Sequence, residues 1–168
     1  MPRQRKYGSK EQHHFISGTY VAIALFLVLF QIFTSVFTLP ILIGFFFCYM
    51  FVLLRERELT LYELDFRWYF SLAYLVFIDI THDFYLFSSL IAFVIFYYFC
   101  ADWLRTNFKI GKFLPVFFVI FAYGLLFVVH NLILYVDSGE FRLFGVDYGI
   151  NMLAEAALCF FFFRNKIK

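Results

Sequence analysis

Glu155 is the side chain in this sequence most able to do chemistry. It stands in Asn151-Met152-Leu153-Ala154-Glu155-Ala156-Ala157-Leu158, a carboxylate set in an apolar run. An ionisable group at membrane depth is costly and is a functional candidate for that reason. Tyr148, Asn151 and Glu155 recur at i, i+3 and i+7, which places them on one face of a helix. At the helical rise per residue, Glu155 lies roughly 12 Å below the membrane surface. Ala154, Ala156 and Ala157 leave room for a second helix to approach. His130, followed by Asn131, reaches a similar depth of roughly 9 Å in another apolar run. Gln31 and Asp79 stand near the corresponding ends of two more. Gln31, Asp79, His130, Asn131, Asn151 and Glu155 therefore all fall in one half of the membrane, and the expectation is a single polar cluster inside a helical bundle. Such a cluster can fix helix packing, bind a ligand or partner helix, or carry protons in a reaction.

The sequence favours packing or binding over reaction. There is no HExxH, no GxSxG and no glycine-rich phosphate loop. Small membrane proteases of the lipoprotein signal peptidase kind need an Asn-x-x-Asp-like motif. Here Asn151 is followed at that spacing by Ala154, with Glu155 one residue later. His13-His14 sits in a polar tail without a partner at metal-ligand spacing, and His82-Asp83 reads as a solvated turn. Cys48, Cys100 and Cys159 each fall inside an apolar run and form no CxxC, so they read as small buried hydrophobes. No enzyme activity, metal or cofactor is expected.

The elements that position these residues follow from composition. Hydrophobic residues make up 64% of the 168 and charged residues 15%, against about 45–50% and 25% in soluble proteins. A soluble fold of this length has too little interior for so much apolar surface, whereas a bilayer is itself the apolar solvent. A net charge of +2 offers no basic field for nucleic acid. Apolar runs long enough to approach the ~20 residues a spanning helix needs predict six spans: Phe15–Phe37, Pro40–Leu54, Tyr62–Ile80, Phe84–Ala101, Phe113–Val136 and Tyr148–Phe163. The fold class is all-α, a polytopic membrane bundle. The third span opens on Glu63, Asp65 and Arg67, where Arg67 can snorkel to the headgroups and pair with Glu63.

Charge supplies the orientation. Lys and Arg near the membrane prefer the cytoplasm. Arg3, Arg5, Lys6 and Lys10 precede the first span. Arg55, Arg57 and Arg67 lie between the second and third, and Arg105, Lys109 and Lys112 between the fourth and fifth. Arg164, Lys166 and Lys168 follow the sixth. In a six-span model that is thirteen of the fourteen basic residues on one side, with Arg142 alone on the other. The chain divides into a basic cytoplasmic tail (1–14), a six-span domain (15–163) and a second basic cytoplasmic tail (164–168). The first apolar run is too long for a signal-peptide h-region and reads as an uncleaved span.

The layout resembles the MreD family of rod-shape-determining membrane proteins. The local likeness centres on Leu72-Ala73-Tyr74-Leu75-Val76-Phe77-Ile78-Asp79, a polar turn, and the apolar run Phe84–Tyr98 that leads to a basic loop. Asp79 takes the place of the aspartate that ends an apolar run in that family. Pro40 before an apolar run and the Arg55 cluster is similar to its second span, and Asn151 with Arg164 to its sixth. The chain departs from the family in having His82-Asp83-Phe84 and Leu86-Phe87 where glycines are usual. The resemblance implies a non-enzymatic scaffold of the bacterial inner membrane. Its partners would be an MreC-like single-span protein and other cell-wall elongation proteins, with the polar cluster as a docking groove and membrane lipids around it. The same size and layout is also similar to the substrate-binding subunits of energy-coupling-factor transporters. That likeness implies a small-molecule ligand near the outer face.

Overall fold

The computed structural model describes residues 18–37, 39–60, 65–107, 111–143, 145–164 and 166–167. The tail bearing Arg3, Arg5, Lys6, Lys10 and His13-His14 lies outside them, as do Glu63, Lys109 and Lys168. All regular structure among the described residues is helical: α1 Gly18–Val36, α2 Ile43–Thr60, α3 Phe66–Thr81, α4 Ser88–Asn107, α5 Leu114–Val136 and α6 Val146–Phe163. Of these, α4, α5 and α6 are long and apolar enough to cross a membrane. In α2 the apolar stretch gives way to Arg55-Glu56-Arg57-Glu58, and the helix runs on through it to Thr60. Arg and Glu are good helix formers, so nothing local ends the helix where the apolar run ends. At the other extreme α3 starts only at Phe66, with Asp65 extended before it.

Local signals set the remaining boundaries. Pro115 stands in the first turn of α5, where its missing N–H removes no helical hydrogen bond. Gly145 precedes α6 in extended conformation, and Asp147 in the first turn complements the helix dipole. Within α4 the segment Phe96–Ala101 is π-helical, a local widening of the turn.

The bundle has two chemically distinct ends. At the basic end Arg67 approaches Glu56 and Asp65, the Tyr97 hydroxyl donates to Glu58, and Lys166 shares an apolar groove with Arg67, Tyr20 and Tyr49. At the opposite end the α1–α2, α3–α4 and α5–α6 connections meet, and Arg142 is the cation found there. Helices thus alternate in direction along the chain.

Helix α2 is the centre. Ile43, Phe46, Phe47, Cys48, Met50, Phe51, Val52 and Leu53 are all buried, so its apolar part is covered nearly all round, while Glu56–Leu59 beyond it are exposed. Phe47 meets Phe93 edge-on at 5.2 Å, and Phe51 and Phe96 each meet Phe118 at 4.9 Å, which ties α2 to α4 and α5. Such pairs add about 0.5–1.5 kcal/mol each beyond the area they bury. Helix α1 is the contrast. Its Val21, Leu25, Phe26, Leu29, Phe33 and Val36 are exposed, an outward apolar surface that lipid, not water, would cover. Cys48 and Cys159 are buried as expected from their apolar runs, and Cys100 is half-buried.

Candidate functional site

Six polar side chains were expected to form one cluster. Their hydrogen bonds fall instead into separate groups, and two of those groups hold the start of a helix.

Glu155 is fully buried. Its carboxylate accepts from the backbone amides of Leu42, Gly44 (2.7 Å) and Phe45 (3.2 Å), and from the Tyr123 hydroxyl. The first amides of any helix lack intrahelical acceptors. A Ser, Thr, Asp or Asn just before the helix ordinarily supplies one, but α2 is preceded by Pro40-Ile41-Leu42. Glu155 supplies it from α6 instead. Leu42 adopts a left-handed conformation, φ 68°, which turns the chain so that these amides converge. The carboxylate also sits where the dipole of α2 is positive. Gly44 lets α2 approach α5 this closely: a Cβ there would stand 2.7 Å from a Val119 methyl. Tyr148 donates to the Tyr123 carbonyl at 3.0 Å and so braces the same corner. His130, which shares Glu155's depth in the sequence, is not its partner. Tyr123, one i+7 step back along the face of α5, is.

Asp79, also fully buried, does for α4 what Glu155 does for α2. It accepts from the Ser88 hydroxyl at 3.3 Å, the Ser89 amide at 3.3 Å and the Ser89 hydroxyl at 3.0 Å. The residue before α4, Phe87, is left-handed as well, φ 69°. The Ser89 hydroxyl lies between two acceptors, Asp79 and the Leu75 carbonyl at 3.1 Å.

Gln31 clasps α1 to α3: its amide donates to Thr81 at 3.2 Å, and the Tyr74 hydroxyl donates to its carbonyl oxygen at 3.0 Å. Thr34 continues the clasp. Its hydroxyl donates to the Gln31 backbone carbonyl at 2.7 Å and lies 3.1 Å from His82 Nε2. With the hydroxyl proton so directed, Nε2–H of His82 is the donor to Thr34. Burial first, and then the charge of Arg142, push the His82 imidazole below its ordinary value.

The remaining candidates lie around a cleft. His130 Nδ1 accepts the Tyr85 amide at 3.2 Å, which places its ring proton on Nε2. Asn131 grips the backbone of Arg142 on both sides, accepting from its amide at 2.8 Å and donating to its carbonyl at 3.2 Å. Arg142 then donates to the His82 carbonyl at 3.2 Å and lies over the Phe84 ring at 5.0 Å. The cleft encloses about 320 Å³ between α1, the α3–α4 turn, α5 and the start of α6. Thr34, His82, His130, Arg142, Tyr148 and Asn151 supply its polar wall, and Val36, Leu39, Ile41, Phe84 and Phe127 its apolar one. The volume is at the lower end of the range for small-molecule sites.

All six sequence candidates stand at these sites; sequence reasoning missed their partners, the backbone amides of Leu42, Gly44 and Phe45 and the side chains of Thr34, Ser88, Ser89 and Tyr123. It also left Arg142 as a mere topological exception. Among the described residues no three His, Cys, Asp or Glu side chains stand close enough to hold a metal ion. Comparison with family models, with curated proteins and with solved structures finds no match to this chain in any of the three.

Proposed function

We propose that the chain is a six-span scaffold of the bacterial inner membrane, of the MreD type, with both ends cytoplasmic and an MreC-like single-span protein as its partner in cell-wall elongation. The observation that carries this reading is the commitment of both intramembrane carboxylates, Asp79 and Glu155, to helix starts. Groups so engaged make a stiff frame, and a stiff frame suits a protein whose work is to hold others in place. The gathering of described basic residues at one end, with Arg142 at the other, supports a cytoplasmic basic end. Of the six candidates, His130 and Asn151 line the cleft, though both are largely buried, and Asn131 holds Arg142 at its edge; Gln31, Asp79 and Glu155 are sealed inside.

The test is recovery of the tagged full-length protein from its native membrane in gentle detergent, read by mass spectrometry. An MreC-like protein together with cell-wall synthases is the expected result. Their absence, with the bundle intact, rejects the scaffold reading. The cleft favours a second reading, the substrate-binding subunit of an energy-coupling-factor transporter. ATPase subunits in the same recovery would select it.

A further inference from the structure

We infer that the cleft at the Arg142 end is a binding site for a small amphipathic monoanion, whose carboxylate or phosphate is held by Arg142. The inference stands apart from the scaffold reading, since an anion in the cleft is compatible with either partner assignment.

Arg142 is exposed yet held in place. Asn131 holds both its backbone groups, the His82 carbonyl takes one guanidinium N–H, and the Phe84 ring lies under the cation. That leaves the rest of the guanidinium fork pre-oriented and without a carboxylate partner among the described residues. A planar fork with fixed direction is what bidentate recognition of a carboxylate or phosphate requires. Topology sharpens the point. The other described Lys and Arg residues gather at the opposite end of the bundle, so Arg142 departs from the pattern that orientation alone would set.

The other walls narrow the ligand. His130, with Nδ1 occupied by the Tyr85 amide, keeps Nε2–H as its donor and lines the cleft, and the Asn151 amide lines it too. Both are neutral donors of the kind that orient an anion. Asp147 is the one carboxylate lining the cleft, and it would repel a polyanion, which limits the ligand to a single negative charge. Val36, Leu39, Ile41 and Phe127 ask for an apolar body beside the charged head. A water-soluble aryl or alkyl carboxylate meets these demands, and so does the phosphate of a lipid headgroup with part of its chain.

The experiment uses the full chain in phosphatidylcholine nanodiscs and follows 4-fluorophenylacetate by fluorine NMR, with 4-fluorophenylacetamide as the neutral match. Saturable binding of the carboxylate is expected, weakened about tenfold in the amide and about tenfold by Arg142→Gln. Asp147→Asn, at an exposed position, should tighten it severalfold and serves as a second variant if Arg142→Gln lowers the melting temperature. Phosphatidylglycerol in the nanodisc separates the two sources. Displacement of the probe identifies a headgroup phosphate, and an unchanged titration identifies a soluble anion. Equal binding of acid and amide overturns the inference. So does an unchanged titration in a folded Arg142→Gln, or no saturable binding of the acid.

Discussion

Glu155 and Asp79 solve the same problem with different partners. Each is a buried carboxylate on one helix that takes the free amides at the start of another, and each faces a start made by a left-handed apolar residue, Leu42 or Phe87. Glu155 reaches across 111 residues of sequence to Gly44, whereas Asp79 holds Ser89 only ten residues away. The more telling difference lies in the donors. Glu155 faces three backbone amides and one phenol. Asp79 faces one amide and two serine hydroxyls. An amide can only donate, whereas a hydroxyl can turn its proton away and accept. The first site demands a carboxylate, and the second tolerates a substitute.

Glu155→Gln should therefore be the most damaging of the conservative changes. Whichever oxygen its NH₂ replaces, that NH₂ faces at least one backbone amide that cannot reverse, Leu42 on one side or Gly44 and Phe45 on the other. Even with the Tyr123 hydroxyl turned to accept, buried donors are left unsatisfied at a cost of about 3 kcal/mol. Thermal unfolding in micelles should show a large drop, and a midpoint near that of the unmodified protein would refute the capping role. Asp79→Asn sharpens the contrast. The Ser89 hydroxyl can keep its bond to the Leu75 carbonyl and accept from the new NH₂, so the loss should be about 1 kcal/mol. If the two substitutions cost the same, the donor argument fails.

Gly44→Ala tests the approach of α2 to α5 that brings its amides to Glu155. The new methyl meets Val119, and overpacking of this kind costs about 1–3 kcal/mol. Val119→Ala in the same chain should restore much of that, and no rescue would place the damage elsewhere. The smallest effects should come from the left-handed residues. Phe87 is half exposed and gives up little packing, so Phe87→Gly should stabilise by roughly 1 kcal/mol. Leu42→Gly should come out near neutral, because Leu42 packs against the core.

The helices were legible in the sequence because long apolar runs favour them; the six described helices overlie the six apolar runs, three of them (α4, α5 and α6) are long and apolar enough to cross a membrane, and α2 and α4 run on into polar residues. Glu155 and Asp79 were legible as buried charges for the same reason. Their partners were not. Backbone amides carry no letter, and the cue for them was an omission: Pro40-Ile41-Leu42 offers no polar side chain at a helix start inside an apolar segment. Depth along a span does not fix azimuth: Gln31, Asp79, His130 and Glu155 hydrogen-bond to different neighbours. Arg142 looked like a stray charge because its significance depends on Asn131, eleven residues away on α5.

The bond from Glu155 to the start of α2 also has a meaning for synthesis. Membrane chains emerge and insert from the amino end, so the amides of Leu42, Gly44 and Phe45 leave the ribosome long before the carboxylate that receives them. Until about 110 further residues have followed, the central helix of the bundle begins with unsatisfied donors. Chains stalled or cleaved before α6 would keep that defect, with the start of α2 uncapped.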